Sequence, residues 1–549
     1  MTEPAPSGGG PAELSKNALK KAAKEKEKAE KKAAAKAKEL AERQKKETDD
    51  ANDVSAEDYG ELPMVGSAEF KPTGLQRESL SNITELEDKE IVFRCWVANA
   101  RVQSAKLAFL NLRQGLNTIQ AVVAASEKLS KQMVKFAGNI STESTLLVHG
   151  LVKKTPEPVK SATIQDYEIH ITKLFIEVKA EVPLPMQVED AERPLPSEGL
   201  GDEDEKAEES DGRPLVGLNT RLNNRTLDLR AKINHAIFVI KSGVCALFQE
   251  FLGSKGFVLI QTPKILGAAS EGGANVFQVK YFDREAFLAQ SPQVYKQMLI
   301  ASRFPRVMEI GPVFRAENSN TARHLTEFTG LDMEMEFQEN YHEVMSMLED
   351  LMLFIFKELN ARYKQETELV RSAYHVDEFK LPESGKVPRI PFSEGIKMLR
   401  EAGEELGDYD DLSTPQEKHL GKLVLERYNS DFYVLDQFPL AIRPFYTMPS
   451  PTNPALSNSY DMFMRGQEIL SGAQRVHNAE LLIKLMKSHD PPVDPTGPGM
   501  RDYVESFRYG CPPHGGGGFG LERIVQFWLG LPNIRMCSLF PRDPQRIMP

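Results

Sequence analysis

Residues 311–324 read GPVFRAENSNTARH, between the apolar runs RVMEIGPVF (306–314) and LTEFTGLDMEMEF (325–337). The two runs predict paired β-strands, and the polar stretch between them predicts their connection. That connection carries Arg315, Glu317, Ser319, Arg323 and His324. Nothing in it favours burial. One reading is a solvated turn. The other is a clamp for a planar anion, because guanidinium groups fork onto carboxylate and phosphate oxygens.

The rest of the chain bounds the choice. Its 549 residues are 41% hydrophobic, enough for several globular domains. The cysteines, Cys95, Cys245, Cys511 and Cys537, form no CxxC pair, which argues against a zinc ribbon or disulfide framework and for a reducing, cytoplasmic setting. A charged N-terminus with no apolar segment predicts no secretory signal, and no membrane partner is expected. The net charge of -11 is unevenly spread. Ser15 to Lys46 holds twelve Lys and Arg43 against five Glu, a local +8 that leaves -19 on the remainder. A basic arm on an acidic body follows.

Residues 1–50 predict that arm, partly helical, with Lys16, Lys20, Lys24, Lys28, Lys32 and Lys36 recurring every fourth position as one stripe. A solvated tail and an arm that meets RNA phosphates both fit. Residues 51–85 are polar and predict a linker. In 86–182, IVFRCWVANARV, LAFLNLRQ and TIQAVVAA predict three strands. EKLSKQMVKFAGN follows as a helix, then STLLVHGLVKKT and YEIHITKLFIEVKA as two more strands. This is the order of an OB-fold barrel, whose outer aromatics stack on single-stranded nucleic acid. Leu110 and Leu112 read as interior, which puts Phe109 outside; Phe109 and Arg101 are the candidates for that contact. Residues 183–217 predict an acidic flexible linker. From 218 to 549 helical and strand patterns alternate. LRAKINHAIFVIKSGVCALFQEFLGSKG (229–256) predicts a long amphipathic helix stopped by Gly253 and Gly256, and GFVLIQTPKI (256–265) a strand broken by Pro263. No GxxxxGK[ST] or GxGxxG follows a strand, so Walker and Rossmann nucleotide sites are not supported.

Further polar constellations sit in apolar contexts: Ser270 and Glu271 beside a Gly pair, Gln290, Gln293 and Lys296 in FLAQSPQVYKQ, and Glu468, Ser471 and Arg475 in EILSGAQRVHN. HGGGGFGLERIVQFWLG (514–530) is a glycine run entering a helix that carries Arg523. Together these resemble the three signature motifs of the class II aminoacyl-tRNA synthetases. Pro263 matches motif 1. Phe314, Arg315 and Glu317 match the FRxE of motif 2. Gly516, Gly518, Gly520, Glu522 and Arg523 match the GxGxGxER of motif 3. A preceding OB domain marks the subgroup that charges aspartate, asparagine or lysine, and the chain is similar to its aspartate branch. The implied fold is multidomain α+β: a basic helical arm, an OB barrel, and a catalytic domain on an antiparallel sheet flanked by helices.

The resemblance implies ATP and Mg²⁺ as cosubstrate and cofactor, L-aspartate and tRNA as partners, and a homodimer through motif 1. It places Ser270, Glu271, Gln290, Lys296, Asp332 and Arg475 around the amino acid. Arg315, Glu317, His324, Phe328, Glu468, Ser471, Gly520 and Arg523 would surround ATP, with Arg315 and Arg523 catalytic. Asp461, Glu468 and Ser471 would hold the metal; carboxylates suit a hard cation. Asp461, within SNSYDMFM, also reads as a solvated turn acid. Lys16, Lys20, Lys21, Arg101, Phe109, Gln120, Glu168 and Ser319 would meet tRNA. A neutral side chain in place of aspartate is expected to leave the Lys296 and Arg475 cations without an anion, at roughly 3–5 kcal/mol. Three rival readings remain: an asparaginyl or non-discriminating enzyme, a catalytically silent RNA-binding relative, and a small-molecule amide ligase on the same fold. Lys296 speaks against the first and the retained Arg315, Arg523 and Glu468 against the second. The OB domain speaks against the third.

Overall fold

The computed structural model describes residues 53–65, 74–195, 215–268, 275–382 and 384–549. The basic arm with Lys16, Lys20 and Lys21, most of the acidic insert, and Ser270 and Glu271 lie outside the described residues. The chain divides into two compact units, one up to Leu184 and one from Pro185.

In the first unit the alternating runs form β1 (Tyr59–Glu61), β2 (Glu90–Ser104), β3 (Leu107–Gln114), β4 (Asn117–Ala124), β5 (Thr145–Lys154) and β6 (Ile164–Val178). Their order is β1-β6-β4-β3-β2-β5, and β5 also pairs with β6, which closes the barrel and protects its edges. Ala108, Leu110 and Leu112 point inward and are buried, leaving Phe109 and Asn111 on the outer face. Helix α1 (Lys131–Gly138) starts where the Ser130 hydroxyl accepts the Met133 N–H at 3.1 Å. The expected 51–85 linker is partly structural. β1 runs parallel to β6, Ser55 Oγ donates to Ser130 Oγ at 2.8 Å, and Leu80 and Ile83 are buried in the barrel core. Short apolar anchors in a polar stretch gave no periodic signal.

The second unit is built on α2 (Lys232–Ser254). By length and a mean hydropathy of 1.5 this helix could cross a membrane, but Ile237, Ile240, Val244 and Phe248 lie at the centre of the core. Gly253 sits inside its last turn, and Gly256, at φ +80°, follows its end. The stretch from 256 is broken around Pro263, as expected, and its two fragments, β7 (Val258–Leu259) and β8 (Ile265–Leu266), lie in different sheets. β8 joins β9 (Gln278–Tyr281) and β10 (Arg284–Leu288), ahead of α3 (Gln293–Ala301). The expected hairpin is present as β11 (Arg306–Phe314) and β12 (Glu327–Glu336), in antiparallel register from Arg306↔Met335 to Phe314↔Glu327. Helices α4 (His342–Arg362) and α5 (Lys364–Tyr374) follow, then β13 (Arg389–Pro391), β14 (Phe432–Asp436), β15 (Ser459–Met464), β16 (Gln467–Gln474), β17 (His514–Gly520) and α6 (Leu521–Leu529). The eight-stranded order is β13-β14-β15-β16-β17-β12-β11-β7, antiparallel except for the two outermost pairings, which are parallel. The 183–217 segment is not all linker: Met186, Val188 and Ala191 pack against Ala231.

Along β12 every second residue, Leu331, Met333 and Met335, faces the helices, while Asp332 and Glu334 face the other way. β17 lies beside it with Gly518 opposite Asp332 and Gly516 opposite Glu334. The glycines are there for close approach. A Cβ on Gly518 would stand 2.8 Å from Asp332 Oδ1, and one on Gly516 would collide with the Met333 carbonyl and the Glu334 carboxylate. Gly516→Ala is therefore expected to destabilise the protein by about 1–3 kcal/mol through overpacking. Urea denaturation measures this, and an unchanged midpoint would refute the close-approach account.

Candidate active site

The bare β17 strand, β12, β16 and the 315–326 loop enclose a cavity of about 460 Å³. Its lining includes Gln290, Arg315, Glu317, His324, Phe328, Asp332, Glu468, Ser471, Arg475, Gly520 and Arg523. These eleven expected residues, drawn from separate stretches, thus converge on one site. Sequence spacing alone gave no such convergence; the strand pairings create it. Ser319 lies in the same loop but does not line the cavity.

At one end is a buried ionic network. Lys296 is fully buried on α3, and its Nζ lies 2.8 Å from Asp332 Oδ1 and 3.5 Å from Glu334 Oε2. Arg475 Nε donates to Glu334 Oε1 at 2.9 Å, and its Nη2 donates to Gln293 Oε1 and the Gly516 carbonyl, each at 3.0 Å. The two cations already have two anions, which corrects the expectation that a neutral substrate would leave them unpaired. Lys296 stands behind Asp332, outside the cavity lining, whereas Arg475 reaches the cavity. Burial pushes the Asp332 carboxyl up, more than Lys296 pulls it down. Burial also works on Glu334, but Arg475 and Lys296 outweigh it and hold that carboxyl below the usual range. Glu334 is therefore the ionised anchor that aims Arg475. The sequence reading passed over Glu334; the alternation of acids with methionines along β12 was its only signal.

At the other end Arg315 lies over Phe328, Cζ 5.7 Å from the ring centre, and Arg523 Nη1 donates to the Glu468 carbonyl at 3.0 Å. His324 Nδ1 pairs with Thr321 Oγ1 at 2.6 Å, and burial with Arg523 and Arg323 nearby lowers its basicity. Arg323 is tied to Glu417 at 2.6 Å. Asp461 is not a turn residue. It lies on β15 opposite Ser471, 5% exposed, and both of its oxygens accept from Arg443, at 3.0 and 2.8 Å. The oxygens of Asp461, Glu468 and Ser471 form a hard-donor set that fits Mg²⁺, which binds through one or two carboxylates and keeps several waters. Among the described residues no group of three or more His, Cys, Asp or Glu side chains could hold a metal by itself.

On the barrel, Arg101 pairs with Phe109 across β2–β3, its Cζ 5.8 Å from the ring centre. Asn111 lies opposite Gln120, and Gln120 opposite Glu168. Gln120 Nε2 donates to Glu168 Oε2 at 2.9 Å, and His170 Nε2 lies 2.8 Å from Glu168 Oε1. One outer face thus presents a ring, a cation, amides and a carboxylate. His170 and Asn111 are additions that the sequence reading missed.

Residues 217–544 match the family described as tRNA synthetases class II (D, K and N), and residues 91–177 match the OB-fold nucleic acid binding domain. The chain belongs to this family of class II tRNA synthetases. Among its relatives is the protein named aspartate--tRNA ligase, cytoplasmic, of Homo sapiens, 50% identical over 505 residues, covering 91% of this chain and 96% of that protein. The Caenorhabditis elegans protein of the same name is 46% identical over 536 residues, 98% of each chain. The solved aspartyl tRNA synthetase from Entamoeba histolytica has a TM-score of 0.80 at 46% identity, covering 90% of this chain and 97% of that one. The asparaginyl-tRNA synthetase from Pyrococcus horikoshii, complexed with asparaginyl-adenylate, has a TM-score of 0.73 at 27% identity, covering 86% of this chain and 100% of that one.

Beside the network, His514 is completely buried, its Nδ1 2.8 Å from the Pro512 carbonyl and its Nε2 without a partner. Burial lowers its pKa to about 4. Between that value and the ordinary 6.5 the unfolded chain binds the extra proton, so this contribution is complete above pH 6.5 and is lost as pH falls towards 4. Relative to His514→Asn, the wild type should lose about 2 kcal/mol between pH 7.5 and pH 5. Paired denaturant titrations at the two pH values measure the difference; one that does not change with pH would contradict a neutral buried imidazole.

Proposed function

We propose that the chain is an aspartate–tRNA ligase of the cytoplasm, acting as a homodimer with ATP and Mg²⁺. The observation that carries the amino-acid assignment is the likeness over nearly the whole chain to proteins named for aspartate, at 46–50% identity, against 27% to an asparaginyl structure.

In the first step the aspartate α-carboxylate attacks the ATP α-phosphorus. An aspartyl-adenylate forms and pyrophosphate leaves. The attacking carboxylate is already ionised, so no general base is needed, and the chain's contribution is positioning and charge neutralisation. Arg475 faces the substrate's side-chain carboxylate, with Lys296 behind Asp332 supporting it. Ser270, Glu271, Gln290 and Asp332 surround the ammonium group. Arg315 holds the α-phosphate. Phe328 and Arg523 hold the adenine, for which the guanidinium of Arg315 must leave the Phe328 face. Glu317, His324, Ser471 and Gly520 complete the nucleotide side. Mg²⁺, held by Asp461, Glu468 and Ser471, would supply charge neutralisation on the phosphates. In the second step a terminal ribose hydroxyl of tRNA attacks the adenylate carbonyl; the bond from that carbon to the phosphate oxygen breaks, AMP leaves as the aspartyl ester forms, and the hydroxyl proton is released, with Ser319 at the loop tip near the acceptor end.

The barrel face reads the anticodon: Phe109 stacks on a base, and Arg101, Gln120 and Glu168 meet base edges. Lys16, Lys20 and Lys21 add sequence-independent affinity. For the dimer, β7 is an edge strand with Val258 and Leu259 exposed, and Ile265 is exposed nearby; a second copy would cover such a surface.

ATP–pyrophosphate exchange with aspartate, asparagine and lysine tests the assignment. Exchange with aspartate alone is expected, and exchange with asparagine or with none overturns it. Phe109→Ala should weaken tRNA binding by about 5- to 150-fold, the range for losing one base stack, and leave exchange unchanged. Filter binding with unaltered affinity would remove Phe109 from the anticodon site.

A further inference from the structure

Arg443 lines the same cavity as Glu468 and Ser471, and no sequence motif singled it out. Its Nη1 and Nη2 fork onto the two oxygens of Asp461, and Nη1 also donates to Ser471 Oγ at 2.8 Å. It therefore engages two of the three groups assigned to the metal. Its Cζ lies 3.9 Å from the centre of the Phe438 ring, a stack that holds the guanidinium in place. The side chain is 9% exposed, yet its Nε is buried with no acceptor. Asp461 and Ser471 are fixed opposite each other on paired strands, whereas Arg443 comes from the connection between β14 and β15, just after the short 3₁₀ turn Leu440–Ile442. The cation is thus the part of the triad that can leave.

We propose that Arg443 is a tethered stand-in for the divalent cation: it neutralises Asp461 while the nucleotide is absent and yields that carboxylate only when the metal arrives with the ATP phosphates. The inference rests on the metal assignment above. The fork of Arg443 occupies both oxygens of Asp461, so metal alone competes with an intramolecular cation for them, and phosphate oxygens are needed to draw the guanidinium away. The device prevents the site from filling with free metal in a geometry without substrate.

Mn²⁺ binding followed by electron paramagnetic resonance, on the full chain without amino acid or tRNA, tests it. Without nucleotide, Arg443→Gln should bind Mn²⁺ at least tenfold more tightly than the wild type, and adding Asp461→Asn should abolish the gain. With ATP present the wild type should bind Mn²⁺ too. Equal affinity of wild type and R443Q without nucleotide, whether both weak or both tight, overturns the proposal. If the wild type takes up Mn²⁺ with ATP, that failure leaves the metal site standing; if it does not, the metal assignment fails as well. Should circular dichroism show R443Q unfolded, Arg443→Lys carries the test, because an ammonium cannot fork both oxygens; a gain is again expected, and its absence overturns the idea.

Discussion

Everything at the amino-acid end of the cavity depends on one buried pairing, the Glu334 carboxylate with the Arg475 guanidinium. Neither charge is stable there alone, because removing one partner of a buried pair leaves an uncompensated ion at about 3–5 kcal/mol. The pair is supported on each side: Lys296 approaches Glu334 from α3, Gln293 bridges Glu334 and Arg475, and the Gly516 carbonyl accepts from Arg475. The glycines of β17 leave the room it occupies. The network uses Arg475 Nε and Nη2, and no hydrogen bond within the described residues engages Nη1. A fork with one prong held and one presented to the cavity is a pre-oriented carboxylate receptor.

This arrangement changes the basis of selectivity. With Asp332 and Glu334 already balancing Lys296 and Arg475, discrimination against asparagine cannot come from two orphaned cations. It must come from the remaining Arg475 donor and from the orientation that Glu334 imposes, since an amide offers that guanidinium one weaker acceptor and two donors that repel it.

Much of this was legible in sequence. The apolar run LTEFTGLDMEMEF set a strand after the polar loop, and the glycine run entering the helix of Arg523 marked the third motif. Five OB strands fell where the period-2 runs placed them, because closed barrels force strict alternation, and the one expected helix fell between the third and fourth of them. What escaped depends on neighbours distant in sequence. Asp461 follows Ser457-Asn458-Ser459, which reads as a turn, and only its β14 and β16 neighbours make it a strand residue. Glu334 looks like an outward acid until α3 and β16 bring cations to it. Arg443 sits in a proline-containing connection whose partners are on strands 18 and 28 residues away.

The most direct measurement of the central claim is aspartate affinity in Glu334→Gln by isothermal titration calorimetry, with ATP affinity as the internal control. If Glu334 aims Arg475, the variant keeps its ATP affinity and its fold but loses aspartate binding by at least tenfold, although every group proposed to touch aspartate is still present. Aspartate binding as tight as in the wild type would contradict the account, because Arg475 would then be oriented without its buried partner.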